Sequence, residues 1–202
     1  TDELIPSGET SSLRSNPLKL AEYTLSRKDP DYVQRAKAID AMEKARLANP
    51  ANAELVARAR ALFALCGLDI MQGAADLRNV GIGSTIFAVK PGDGSAREQA
   101  ASCQKVLGGW ANLAVEYATK RYRSNLINWG MLPFQLNGAA PFGLGDYILI
   151  PHVREALKGD LQNIPAYVLG EEVKPFALYM TPLTSDEREI LADGCLINYY
   201  KH

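Results

Sequence analysis

Pro91-Gly92-Asp93-Gly94-Ser95-Ala96-Arg97-Glu98 is the stretch on which the reading of this chain turns. It follows an apolar, strand-like segment, Ile82 to Val89, and runs into Gln99-Ala100-Ala101, which reads as helical. A strand, a glycine-rich turn and a helix start carrying a serine and an arginine make an anion site. Glycines let the backbone approach closely, the first helical N–H groups have no intrahelical partner, and a guanidinium forks onto a carboxylate. Many strand-turn-helix corners share this spacing, so by itself it predicts only an α/β unit. Read alone, Ser95 is a helix N-cap worth about 1 kcal/mol, Arg97 a surface ion-pairing cation, and Glu98 a first-turn partner of the helix dipole.

Upstream, residues 1–16 are polar and rich in Ser, Gly and Pro, which predicts an ordered loop or interface segment. Pro17 after Asn16 starts a helix with Leu18, Leu20, Ala21 and Leu25 at helical spacing. Asp29-Pro30-Asp31 opens a second, whose face is Tyr32, Ala36, Ile39, Met42 and Ala45, and Asn49-Pro50 stops it. Glu54 to Cys66 forms a third, ended at Gly67. Downstream of the glycine turn, Ser95 to Val106 is a helix, and Ala111 to Trp129 begins as a short strand and continues as a helix. Met131 to Leu136 and Tyr147 to Ile150 read as strands, the latter after Gly143-Leu144-Gly145-Asp146, and Pro151 to Leu157 as a helical turn or two. Val173 to Thr181 is a strand that Pro175 pushes to an edge. Thr184-Ser185-Asp186-Glu187 caps a last helix running to about Ile197. The pattern is a mixed α/β domain with an irregular sheet, in which the helical block 17–66 is an insertion or flanking layer.

At 202 residues, 47% hydrophobic and 22% charged, the chain can build one sizeable core, or one core with a small appendage. Its formal net charge of −1 gives no strong field for nucleic acid or an anionic membrane. Lys120-Arg121-Tyr122-Arg123 reads as a solvated helix face. Cys66, Cys103 and Cys195 lie far apart and never as Cys-x-x-Cys, which argues against a zinc ribbon or an internal iron–sulfur site. Their odd number fits a reducing cytoplasm, where each is a small buried hydrophobe. No apolar run approaches the ~18 residues of a membrane span, and nothing at the start resembles a signal peptide. Thr1 stands in place of an initiator methionine, so the chain is expected to be a piece cut from a longer protein. His152 and His202 have no partner cluster and are expected to face solvent.

Taken as a string, the glycine turn closely resembles the Gly-x-Gly-Ser-Ser-Arg-Glu-His-Ala-Ala signature of the swivel domain of the aconitase superfamily. Three further features match in order. Thr1-Asp2-Glu3-Leu4-Ile5-Pro6-Ser7-Gly8 looks like the family's Thr-Asp-His-Ile-Ser-Pro-Ala-Gly opening, and Arg14 falls twelve residues after Asp2, where the family carries a second substrate-binding arginine. Tyr122-Arg123-Ser124-Asn125-Leu126 through Gly130-Met131-Leu132-Pro133 resembles its Ile-His-x-x-Asn-Leu-x-x-x-Gly-Leu-Leu-Pro segment.

The resemblance implies a swivelling β/β/α domain over residues 1–202, of the aconitase C-terminal or isopropylmalate isomerase small-subunit type, with the extra helices at about 17–66. It implies a hydro-lyase that removes water beside a carboxylate of a small hydroxy-carboxylic acid. Ser95 would be the base, and Arg97, Arg14, Asp2 and the position of Ala96 would bind substrate. A serine alkoxide becomes a credible base only where unpaired helix N–H groups and arginines hold negative charge in a dry site. The family's 4Fe–4S cluster takes the leaving hydroxyl, and its cysteine ligands lie outside this chain, so cluster-bearing domains of the same polypeptide are the expected partner. The alternatives are a stand-alone small subunit with a separate large subunit, and a non-catalytic RNA-binding relative, which the near-neutral charge disfavours. Three departures stand out: Ala96 replaces the signature's second serine, Gln99 its histidine, and Glu3 the histidine of the opening. A substrate other than citrate or isocitrate follows as an expectation.

Overall fold

The computed structural model describes residues 2–6, 8–68 and 78–201; Thr1 and Ser7 of the opening motif, and His202, lie outside the described residues. After a 3-10 turn, Ser11–Leu13, helix α1 spans Pro17–Ala21. Asn16 caps it, its Oδ1 accepting from the Lys19 N–H at 3.1 Å. The helix stops four residues short of Leu25, whose backbone turns left-handed (φ 57°) so that its N–H can donate to the Leu4 carbonyl at 2.9 Å. That bond pins the opening segment, whose Leu4 and Ile5 are buried.

Helix α2, Tyr32–Ala48, buries Tyr32, Val33 and Ala36 as its spacing predicts, but the apolar face does not continue. Met42 and Ala45 are exposed, and Glu43 and Arg46 turn inward instead. The cause is a long-range bond: Arg46 pairs with Glu43 at 2.6 Å and donates to the Val80 carbonyl at 2.6 Å. Helix α3, Ala53–Leu65, is capped by Asn52 and ends at Gly67 (φ 68°). Its Phe63 centres a satellite cluster with Leu55, Val56, Ala59, Leu68, Val80 and Leu149.

Two βαβ units follow: β1 (Ser84–Ala88), α4 (Arg97–Val106), β2 (Gly109–Ala114), α5 (Lys120–Asn128) and β3 (Leu132–Gln135). They form a parallel sheet in the order β1-β2-β3, with Ile86 opposite Asn112 and Leu113 opposite Phe134. Then come β4 (Tyr147–Leu149), α6 (Val153–Lys158), β5 (Ile164–Leu169), β6 (Lys174–Leu178), α7 (Ser185–Asp193) and α8 (Leu196–Tyr199). These strands make an antiparallel sheet, β4-β5-β6, with the proline-bearing β6 at an edge as expected. The two sheets meet at one antiparallel bridge, Gln135 with Tyr179. The mixed α/β class read from the sequence is the class observed.

Strand β5 falls where the sequence reading assigns no element, and it carries Pro165, a residue that argues against a central strand. The register removes the conflict. Strand β4 pairs only with residues 167–169, so at Pro165 the strand has a neighbour, β6, on one side alone. The last helix departs as well. Thr184 and Glu187 form the expected reciprocal cap, but Gly194 (φ 92°) breaks the helix before Ile197.

The parallel sheet separates two cores. One joins α1 and the start of α2 to α4 and α5 through Leu20, Tyr32, Ala36, Ala101, Cys103, Tyr122 and Leu126. The other places Leu113, Ile127 and Phe134 against β5, β6 and α7. The first part of the helical block is thus a layer of the main core.

Candidate active site

The turn between β1 and α4 is built by Gly92 and Gly94, both at positive φ (100° and 95°). A Cβ on Gly92 would fall 2.5 Å from the Cβ of Tyr122, so this close approach admits glycine alone. The Gly92 carbonyl accepts from Thr119 Oγ1 at 2.9 Å and from Arg97 Nε at 3.4 Å. Thr119 also caps α5, its hydroxyl accepting from the Tyr122 N–H at 3.3 Å. One carbonyl therefore ties the turn to the starts of both helices.

Ser95 is exposed and precedes the helix it was expected to begin; Ala96 is the N-cap, and no side chain caps the first turn of α4. Without a hydroxyl at residue 96 the first N–H groups stay open to a ligand. The Ser95 hydroxyl has no hydrogen-bond partner among the described residues, so the helix-cap reading of Ser95 fails. Ser95, Arg97 and Glu98 line one wall of a cleft of about 320 Å³, and Lys120, Arg121, Ser124 and Asn125 of α5 line the other. Glu98 is engaged, accepting from the Trp129 indole N–H at 2.7 Å, and so keeps the structural role read from the sequence. The sequence reading missed Lys120 and Arg121, taking them for a solvated face; only the packing of α5 beside α4 brings them to Ser95.

That packing rests on a buried polar triangle. Tyr122 Oη donates to Asn112 Oδ1 at 2.7 Å and accepts from Gln104 Nε2 at 2.9 Å. Asn112 Nδ2 donates to Gln104 Oε1 at 2.6 Å. The triangle locks α5, β2 and α4 together, and burial pushes the Tyr122 phenol far above its ordinary range, so it stays protonated. Arg123 points away from the cleft, donating to the Pro182 carbonyl at 2.8 Å and facing Glu187 at 3.6 Å.

The other expected site residues lie elsewhere. Ala96 is 6% exposed and does not line the cleft. Asp2 is exposed and, with Gly92, Asp93 and Gly94, lines a separate concavity. Arg14 is exposed after the 3-10 turn and does not line the Ser95 cleft. Glu3, in place of the opening histidine, pairs with Lys28 at 3.0 Å.

The residues present do not fit a 4Fe–4S cluster. Cys66, Cys103 and Cys195 form no disulfide and lie apart, at the end of α3, within α4 and just before α8, and among the described residues no three His, Cys, Asp or Glu side chains gather as ligands. Burial pushes the Cys103 thiol up to about 12, which keeps it from being a thiolate. Among the described residues no helix is long and apolar enough to cross a membrane.

The sequence model of the aconitase C-terminal domain matches residues 34–139, a span that holds the glycine turn, both cleft helices and the whole parallel sheet. In structure the chain is similar to crystalline 3-isopropylmalate dehydratase (LeuD) from Methanocaldococcus jannaschii. The TM-score is 0.59 and the identity 25%, over 99% of this chain and 84% of that one. No curated protein matches the chain in sequence.

Proposed function

Because the chain belongs to the aconitase C-terminal domain family, we propose that it is the swivel half of an iron–sulfur hydro-lyase, with Ser95 as the base that acts on a small hydroxy-carboxylic acid. The observation that carries this is the unpartnered Ser95 hydroxyl beside Arg97, at the uncapped start of α4. Arg97 binds the carboxylate next to the reacting carbon with its guanidinium fork. Ser95 takes the proton from that carbon, and the charge that spreads into the carboxylate is held by Arg97 and the open N–H groups of α4. Arg14 and Asp2, both exposed, bind substrate from the opening segment once the site is closed by its partner. Ala96 shapes the turn rather than touching substrate.

The cluster belongs to the partner, as the cysteines of this chain cannot hold it. The likeness over almost the whole chain to 3-isopropylmalate dehydratase supports a separate large subunit better than a domain of one long polypeptide. It also favours a malate-like substrate over citrate.

The test is Ser95→Ala in the assembled enzyme. Loss of a positioned base lowers kcat by about 10²–10⁴-fold and leaves KM almost unmoved. Arg97→Lys keeps the charge, loses the fork and raises KM as well. A Ser95→Ala enzyme with more than about a tenth of the wild-type kcat, far short of a lost base, overturns the assignment.

A further inference from the structure

Glu98 is the one acid among the residues that line the Ser95 cleft, against three cations, Arg97, Lys120 and Arg121. Glu98, Lys120 and Arg121 are all exposed, and among the described residues neither Lys120 nor Arg121 has an ion-pair or hydrogen-bond partner for its side chain. The first turn of α5, which carries both, has no acid of its own. A loose carboxylate on the facing wall would be drawn onto those cations and would take up the charge that an anionic substrate needs. Glu98 does not cross the cleft. Its Oε1 accepts instead from the Trp129 indole N–H at 2.7 Å.

Trp129 is a fixed donor. It is the C-cap of α5, its backbone N–H donating to the Asn125 and Leu126 carbonyls at 3.2 Å. Its ring packs against the core that contains Tyr122 and Leu126. The indole N–H is also an uncharged donor with no acceptor capacity. It therefore satisfies a carboxylate without adding a cation to the cleft and without consuming one already there. Packing does not ask for that N–H, since a phenylalanine ring would bury comparable apolar surface. Glu98 is its one hydrogen-bond partner among the described residues.

We propose that Trp129 is a positioning residue of the site: its indole N–H holds the Glu98 carboxylate back, so that the cations of the cleft stay open to an anionic substrate. Trp129 touches no reacting atom and acts only through Glu98. This rests on the reading of the Ser95 cleft as the substrate site.

The probe is inorganic sulfate, titrated into the full chain and followed through the backbone amide signals of residues 97–99 and 120–125. Trp129→Phe keeps the ring and loses the N–H, and should weaken sulfate binding about three- to tenfold, the worth of one charge-assisted contact. Glu98→Gln, which removes the competing charge, should bind sulfate at least as well as wild type. The decisive variant combines the two. Trp129→Phe with Glu98→Gln should return to within about twofold of wild type, less than the worth of one hydrogen bond, because no carboxylate is left to swing across. A merely structural role for Trp129 predicts that the loss persists in the double variant. Should Trp129→Phe not fold, Glu98→Asp decides instead, since its carboxylate is one methylene short of the indole and should show the same weakening. Sulfate binding unchanged in the deciding single variant, a loss that survives Glu98→Gln, or no sulfate binding by the wild type overturns the proposal. In the assembled enzyme Trp129→Phe should raise KM by the same factor and leave kcat unmoved. Failure of the Ser95→Ala kinetic test would remove the base and leave the sulfate result standing, so the two readings fail separately.

Discussion

Gly92→Ala tests whether the glycine turn is fixed by packing as well as by backbone geometry. The substitution meets two obstacles. The backbone at φ 100° disfavours an L side chain, at about 1–2 kcal/mol. The new Cβ also lands 2.5–2.7 Å from the Cβ, Cδ1 and Cγ of Tyr122, a fully buried ring held by Asn112 and Gln104. A ring so held cannot step aside, and overpacking of this kind costs about 1–3 kcal/mol. The total is about 2–5 kcal/mol. Gly138→Ala is the control, because Gly138 has a similar φ of 79° and nothing within 4 Å of its Cβ position. It should lose only the backbone share, about 1–2 kcal/mol. The gain from stiffening the unfolded chain is the same in both and cancels. Urea unfolding of the two variants, read at equal m-value, gives the packing share as the difference. Equal losses would refute the reasoning, for they would mean that Tyr122 moves freely.

Tyr122→Phe removes the hydroxyl of the buried triangle and leaves Asn112 Oδ1 without its donor. It should cost about 1–3 kcal/mol by urea unfolding. Burial raises Cys103 from 9.0, and Tyr32 from 10.0, each to about 12, so both stay protonated in the fold while the unfolded chain loses its protons. Their stabilisation is whole below pH 9 and drains as pH rises toward 12, by about 1.4 kcal/mol per pH unit for each group past its unfolded pKa. Cys103→Ala should remove the part of the urea-midpoint decline that begins near pH 9. Thr184→Ala breaks the reciprocal cap of α7 and should lower stability by about 1 kcal/mol, with Tm as the readout.

What the sequence made legible was local chemistry. Gly92 and Gly94 announce their turn because only glycine accepts that backbone, and Asn16 and Thr184 mark helix starts because their side chains accept from N–H groups three residues on. What stayed hidden depended on distant segments. Glu43 and Arg46 look like a solvated pair until Val80, 34 residues away from Arg46, supplies a carbonyl. Pro165 argues against its own strand until the register leaves that position one neighbour. The site divides the same way. Ser95 and Arg97 come with the glycine turn, whereas Lys120 and Arg121 are indistinguishable from surface charge until the crossover between parallel strands lays α5 against α4.

Helix α5 has one more consequence, for how this protein can change over generations. Of its nine residues, Tyr122 and Leu126 serve one core, Ile127 the other, Arg123 the tether to α7, and Lys120, Arg121, Ser124 and Asn125 the cleft. Only Asn128 has no such duty. Drift that retunes the cleft must therefore pass through a segment where almost every neighbouring position is already constrained by packing. If the cleft binds substrate as proposed, a new preference is reached more easily through the partner's half of the site than through this helix, which makes α5 a slow-changing wall of the cleft.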